Sequence, residues 1–327
     1  MALANWARSD TPYPSFRNDV HVVQSSDFAG AEHSAVHDEK KSNPDLAKAC
    51  DATAQRWRDQ LDTEFNVATK APFVILGDLP KSQLEQHYRD IVLPTTAAIQ
   101  ATYTTHALDE PVVLMLFSTE ASYRRHARQL FGQRNASVYG FYKPSNRTVV
   151  INLESGLGTL VHELTHAAFD FDFDEMPLWL NEGIASLHEQ ATFTDDNTGA
   201  DNNVAAGNAR RIRGEINWRY PILRDAITSN RLNSIEHLLT DNEGFRGTRE
   251  GVNYAHARYL CMYLQQKNQL LPLYKSLRDG DRETADAMFL KARFPDQTWA
   301  EINDDFRKWA LELKAPAKDS TTKPQGQ

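Results

Sequence analysis

The feature that most constrains how this chain can fold is a helical segment carrying two histidines four positions apart. The segment reads GLGTLVHELTHAAFDF and runs from Gly156 to Phe171. Its apolar residues recur at spacings of three and four, which predicts a helix with one buried face: Leu157, Leu160, Val161, Leu164 and Ala168. The chain must therefore cover one side of this helix while the histidines lie on another.

His162 and His166 are placed to bind the same metal ion. At about 100° per residue, positions four apart lie about 40° apart around the axis and one turn along it. Both imidazoles then point at one place, at a separation that suits a tetrahedral ion with bonds of about 2 Å. Glu163 lies on the adjoining face, where it can reach a water on that ion. The alternative is two surface histidines, but the neighbouring Gly156 and Gly158 and the preceding strand favour a cleft.

A catalytic zinc site needs a third protein ligand, because three ligands leave one position for water. The segment LWLNEGIASLHEQ follows Pro177 and has an apolar side, so it predicts a second helix. Glu182 in that helix is the candidate ligand. Glu175 is its nearest rival, but it precedes the helix.

The composition narrows the kind of site and the kind of partner. Cys50 and Cys261 are the two cysteines, so a metal must be held by His and carboxylate groups. The net charge of −8 argues against a nucleic-acid partner. The longest apolar stretch, Val112 to Phe117, is far shorter than the roughly 18 residues of a membrane-spanning helix. No apolar stretch typical of a secretory signal follows Met1.

Strands and helices alternate in the first half of the chain and predict an α+β fold. The predicted strands are Phe73 to Leu76, Pro111 to Phe117, Ser137 to Tyr142 and Thr148 to Asn152. Helices are predicted at Ser82 to about Thr102 and at Ala121 to Phe131, the latter capped by Ser118. After residue 152 we expect only helices, with a loop at Thr192 to Asn208 and arginines 210, 211 and 213 on a solvated helix face.

Three regions follow from this pattern. Residues 1–66 form an N-terminal arm, partly disordered, with a helix near its end. Residues 67–314 form one unit, with an α/β upper lobe to about residue 172 and a helical lower lobe after it. Residues 315–327 lack apolar residues other than alanine and are predicted to be disordered.

The paired motifs resemble those of a known group. HELTH, followed after 15 intervening residues by the glutamate of WLNEGIA, is similar to the gluzincin zinc metallopeptidases of the thermolysin-like clan. The order of elements from about Phe73 to Gln190 is nearer to the peptidase-MA-like bacterial proteins. The resemblance implies a zincin-like fold, in which a small mixed sheet and an active-site helix precede a mostly helical lobe. It also implies an exported protein, whereas Met1 argues against export.

Carried over by residue, the resemblance assigns His162, His166 and Glu182 as ligands of one Zn²⁺ per chain and Glu163 as the general base. The residues alone gave the same four roles. The resemblance further implies a peptide or protein substrate that pairs with an edge strand, either Ser137 to Tyr142 or Thr148 to Asn152.

Several supporting roles stay open at this point. Tyr254 is the candidate for stabilising the oxyanion, with His256 a weaker one, but a packing role for Tyr254 is equally consistent. Thermolysin-type enzymes have a supporting carboxylate four residues after the glutamate ligand, where this chain has Ser186. Asp170 either accepts a hydrogen bond from a ligand imidazole or faces water at the helix end. Asn181 either orients the chain near Glu182 or bonds within its helix.

The first functional hypothesis is a zinc-dependent peptidase. The alternatives are a non-catalytic or regulatory peptide-binding protein that keeps a zinc site, and a zinc hydrolase of a non-peptide amide. Glu163 favours catalysis, because a structural site has no use for a base beside the metal and is usually closed by four ligands. The oligomeric state is not indicated by the sequence.

Overall fold

The computed structural model describes residues 43–61, 65–134, 137–195, 210–280 and 286–314. Most of the predicted N-terminal arm, the C-terminal tail and residues 196–208 of the predicted loop lie outside the described residues. The described part is α+β, as the sequence predicts, with one mixed sheet, a hairpin and a set of helices.

The main sheet has five strands in the order β1-β2-β3-β5-β4. Their bounds are β1 Asn66–Lys70, β2 Phe73–Gly77, β3 Val112–Phe117, β4 Gly140–Lys143 and β5 Thr148–Asn152. The three central strands are parallel to one another, and β1 and β4 run antiparallel at the edges. Every residue of the three parallel strands is buried, because both faces of the sheet are covered.

Two helices cover one face of this sheet. Helix α1 (Pro44–Arg58) places Cys50, Ala54 and Trp57 against strands β2 and β3, and α4 (Glu120–Phe131) lies beside it. The predicted cap of α4 is wrong by one position. Thr119, not Ser118, accepts the hydrogen bond from the Ser122 backbone, because Thr119 is the last extended residue before the helix.

The predicted helix at Ser82 to Thr102 is present but not uniform. It comprises α2 (Lys81–His87), a π-helical turn at Tyr88–Val92 and α3 (Leu93–Thr102). Pro94 lies at the second position of α3, and its missing N–H is compatible with the wider turn before it.

The prediction of helices alone after residue 152 is wrong. A two-stranded antiparallel hairpin, β6 (Ala191–Asp195) and β7 (Arg210–Gly214), follows the second motif. Arg210, Arg211 and Arg213 therefore lie on a strand and not on a helix face. Ile212 supplies the buried side of that strand, and it alternates with arginines in the period of two that strands require.

Eight further α-helices follow strand β5 in the described ranges. Their bounds are α5 Leu157–Phe169, α6 Leu178–His188, α7 Tyr220–Thr228, α8 Ile235–Thr240, α9 Glu250–Gln266, α10 Leu270–Asp279, α11 Asp286–Lys291 and α12 Trp299–Glu312. No helix in the described ranges has the length and apolar character needed to cross a bilayer.

Helices α6 and α9 approach each other very closely. A Cβ added to Gly183 would lie 2.7 Å from Cys261 Sγ and 2.9 Å from the Ala257 carbonyl oxygen, so only glycine fits at this crossing. Arg258 of α9 is fully buried and donates hydrogen bonds to the carbonyl oxygens of Ser186 and Glu215. The position of α6, which carries Glu182, is thus fixed by α9.

Candidate metal centre

The two histidines of α5 meet as the sequence predicts. Nε2 of His162 lies 3.0 Å from Nε2 of His166. The helix runs beneath the start of strand β4, where a Cβ on Gly140 would lie 3.2 Å from Thr159 Cγ2. This close approach puts the histidines beside the open edge of the sheet.

Helix α6 supplies the third group. Glu182 Oε2 lies 3.5 Å from His162 Nε2 and 3.7 Å from His166 Nε2. These three residues could hold a metal ion, since one ligand atom from each lies within 4.8 Å of the others. Glu175, the rival ligand, lies in the exposed loop before α6 and is not part of the group.

The donor set fits a bound cation. Nδ1 of His166 lies 2.7 Å from Asn181 Oδ1, and Nδ1 of His162 lies 3.2 Å from Glu189 Oε1. When each Nδ1 carries the ring proton, both Nε2 atoms present lone pairs toward one another and toward the Glu182 carboxylate. Three electron donors converge on one point, an arrangement that a cation stabilises.

The charged groups around the two histidines also favour a bound cation. Burial opposes protonation of His162, but contacts with Glu182 and Glu189 outweigh it and raise the pKa of the imidazole to about 10. Burial also opposes ionisation of Glu182, yet His166, His162 and Arg246 hold the pKa of its carboxyl well below the usual range. The carboxylates of Glu182 and Glu189 therefore favour positive charge on the neighbouring His162.

Glu163 lies at the centre but outside the ligand group. It is buried, with 7% of its surface exposed. Burial raises the pKa of its carboxyl, while His162 and His166 act in the opposite direction. A carboxyl with a raised pKa beside a metal centre has the property expected of a group that takes up and releases a proton.

Two arginines, both missed by the sequence reasoning, neutralise carboxylates at the centre. Arg246, in the loop before α9, donates to Glu182 Oε1. Arg219, just before α7, binds both carboxylate oxygens of Glu189. No local pattern marks either arginine, because each reaches the centre from a distant loop.

Glu189 was also missed, although a signal for it exists. It follows Glu182 by seven residues, which places both on the same side of α6. Ser186, the position where thermolysin-type enzymes have a carboxylate, makes no side-chain hydrogen bond among the described residues. The carboxylate near the imidazole is therefore provided three residues further along the same helix.

The open assignments of Asn181 and Asp170 are decided by their contacts. Asn181 differs from both alternatives, since its Oδ1 lies 2.7 Å from Nδ1 of His166 in the preceding helix. Asp170 accepts a hydrogen bond from the Tyr142 hydroxyl at 2.8 Å and has no ligand imidazole among its partners in the described residues. Asp170 thus ties the end of α5 to strand β4.

Tyr254 lies at the edge of the centre. Its ring packs 5.2 Å from that of Phe245, and the Arg219 guanidinium lies 5.2 Å from its centroid. Burial and the nearby Glu182 carboxylate raise the pKa of its hydroxyl well above the usual value, so Tyr254 stays protonated. His256 instead stacks on Phe306 at 5.3 Å inside the lower lobe.

Two further aromatic residues, Trp179 and Tyr220, are buried in the helical core. Trp218 lies nearer the centre, with the Arg219 guanidinium 4.2 Å from its ring. Strand β4 is at the edge of the sheet and β5 is inside it, so β4 is the strand open to pairing.

Comparison with known proteins adds no family assignment. No protein-family model matches the chain, and no curated protein matches it in a sequence search. The resemblance to the gluzincins therefore stays a prediction that depends on HELTH, WLNEGIA and the order of elements.

Proposed function

We propose that the protein is a zinc-dependent metallopeptidase of the gluzincin type. One observation carries this proposal: His162, His166 and Glu182 converge on one point, and the buried carboxyl of Glu163 lies beside them. This arrangement matches the predicted division into three ligands and one base. It supports a catalytic centre more than a structural one, because structural zinc is usually closed by four protein ligands.

Zinc is the proposed metal because of the donor types. Two imidazoles and one carboxylate form a ligand set typical of catalytic zinc in peptidases. Both cysteines are buried, and neither belongs to the group of potential ligands. A zinc ion held there supplies a water of lowered pKa and polarises the substrate carbonyl.

The chain's own residues then handle the proton and the charge. Glu163 takes the proton from the attacking water and later gives it to the leaving amine, and its raised pKa suits both transfers. Tyr254 stays protonated and donates a hydrogen bond to the oxyanion that develops on the substrate. Asn181 keeps the imidazole of His166 in one orientation.

The substrate is a peptide or protein bound in extended form. Strand β4 offers the backbone groups of its outer edge beside α5, so an extended segment can pair with it next to the metal centre. The start of β4 approaches α5 through Gly140, which lets the paired segment lie close to His162.

The test combines metal analysis with hydrolysis of casein and short peptides. The wild-type protein is expected to hold one zinc per chain. Glu163→Gln is expected to retain the zinc and to hydrolyse the substrate about 10² to 10⁴ times more slowly than the wild type. Glu182→Ala should lose zinc, whereas Glu175→Ala serves as the matched control and should keep it. Full activity of Glu163→Gln, or zinc binding unaffected by Glu182→Ala, contradicts the proposal. Hydrolysis of small amides without peptide cleavage indicates the amide-hydrolase alternative.

A further inference from the structure

A buried ion-pair unit connects the metal centre to the lower lobe. Glu189, the residue that ends α6, has Oε1 3.2 Å from His162 Nδ1. Arg219 binds this carboxylate with two nitrogens, Nη2 to Oε1 at 2.9 Å and Nε to Oε2 at 3.2 Å. Asn217 Nδ2 donates to Oε2 at 3.0 Å. The side chains of Glu189 and Arg219 are only 13% and 10% exposed.

We propose that Glu189 is the positioning residue for His162, and that Arg219 anchors Glu189 in the orientation this role requires. The inference depends on the proposed function, because it concerns how a ligand of that metal is held. Neither residue contacts the predicted reacting atoms, so both act through the imidazole.

Glu189 acts on the tautomer of His162 through its charge. A carboxylate oxygen 3.2 Å from Nδ1 favours the ring proton on that nitrogen, which leaves the lone pair of Nε2 for the metal. It also raises the basicity of the ring, because negative charge on Glu189 stabilises positive charge on the imidazole. His166 receives the same orientation from a neutral group, the Asn181 amide. The two imidazoles therefore differ in their partners, since a charged carboxylate lies beside Nδ1 of His162 and a neutral amide oxygen beside Nδ1 of His166.

Arg219 fixes the orientation of the Glu189 carboxylate. A planar guanidinium that binds both oxygens of a carboxylate fixes the rotation of that carboxylate as well as its position. Its other contacts restrict its own movement, since its centre lies 4.2 Å from the Trp218 ring and 5.2 Å from the Tyr254 ring. One arginine thus holds Glu189 and contacts the residue proposed to stabilise the oxyanion.

A purely structural role is the competing explanation. The ion pair of Glu189 and Arg219 could serve only to join the end of α6 to the start of α7. That role predicts a lower melting temperature in any variant but no change in the metal affinity of the folded protein. The positioning role predicts a loss of affinity that remains after folding is verified.

The experiment measures zinc affinity by competition with a chromophoric chelator, using the full chain. Glu189→Gln is expected to bind zinc between about 10-fold and 100-fold more weakly than the wild type. Glu215→Gln is the matched control, because Glu215 lies nearby but accepts its hydrogen bond from Thr192. Its affinity should stay within about two-fold of the wild type. Arg219→Lys keeps the charge but not the two-nitrogen contact, so a smaller loss than that of Glu189→Gln is expected.

A second variant and a second readout keep the test decisive. If Glu189→Gln fails to fold because Arg219 is left without its carboxylate, the double variant Glu189→Gln/Arg219→Gln removes both charges and is measured instead. Nitrogen-15 histidine spectra of the metal-free protein report the Nδ1 proton of His162, which should shift in either variant. A folded variant with wild-type zinc affinity overturns the inference. If the wild type itself binds no zinc, the proposed function fails, and an unchanged Nδ1 resonance then overturns the inference separately.

Discussion

Asp172 provides the sharpest prediction about stability. Its side chain is fully buried at the start of the loop between α5 and α6. Its Oδ1 accepts hydrogen bonds from the backbone of Thr105 and His106 at 2.6 and 3.1 Å. Its Oδ2 accepts them from the Tyr274 hydroxyl and Arg278 Nη1, both at 2.8 Å. One carboxylate therefore connects three separate segments.

Asp172→Ala should lower the free energy of unfolding by about 4 kcal/mol. Hydrogen bonds to a charged group contribute about 1.5–3 kcal/mol each, and removing one partner of a buried ion pair costs about 3–5 kcal/mol. Arg278, whose side chain is 11% exposed, would lose its buried partner. The control is Asp279→Ala, which removes the exposed partner of the same arginine and should cost at most about 1 kcal/mol.

The effect should also depend on pH in a defined direction. The Arg278 guanidinium and the hydrogen bonds to Thr105, Tyr274 and His106 outweigh burial and hold the pKa of Asp172 well below its usual range. Its stabilisation is therefore present above the unfolded-state pKa, about 3.9, and is lost as the pH falls below that value. Urea unfolding in EDTA measures the difference between wild type and Asp172→Ala, which should shrink below about pH 4. A difference under about 1 kcal/mol at pH 7 refutes the reasoning.

Three further outcomes are expected. Gly183→Ala should lower the free energy of unfolding by about 1–3 kcal/mol, because the added methyl would overlap Cys261. An unchanged melting temperature contradicts the close contact of α6 and α9. Asn181→Leu should weaken zinc binding at least about 10-fold, because His166 loses its oxygen partner, while Asn181→Asp retains binding. Zinc affinity should rise with pH through the neutral range, since the raised pKa of His162 means that binding releases its proton; calorimetry in buffers of different ionisation enthalpy counts that proton.

The close approach of His162, His166 and Glu182 could be predicted because its information is local. His162 and His166 share a face of one helix, and Glu182 follows in the next helix after a short loop. Helical periodicity fixes which side chains point together, so two adjacent motifs sufficed. The strands were also recognisable, because buried parallel strands are continuous apolar runs bounded by turns.

The groups around the ligands could not be predicted in the same way. Arg219 and Arg246 reach the centre from loops far along the chain, and their contacts exist only after α9 packs on α6. The sequence predicts a helix at β7 because the apolar part of its buried side is Ile212 alone, which lies between arginines. Short strands of this kind depend on tertiary pairing more than on their own pattern.

The open edge of β4 has a consequence for the behaviour of the protein in concentrated solution. Unpaired backbone groups at a sheet edge promote aggregation through pairing with another copy, and natural proteins limit this hazard by keeping such strands short or ending them with lysine. β4 has four residues and ends at Lys143, so it has both safeguards. An edge that must stay accessible to extended segments cannot be covered by a helix or loop. A short strand and a positive charge at its end limit self-association and still leave the edge accessible, as the proposed activity requires.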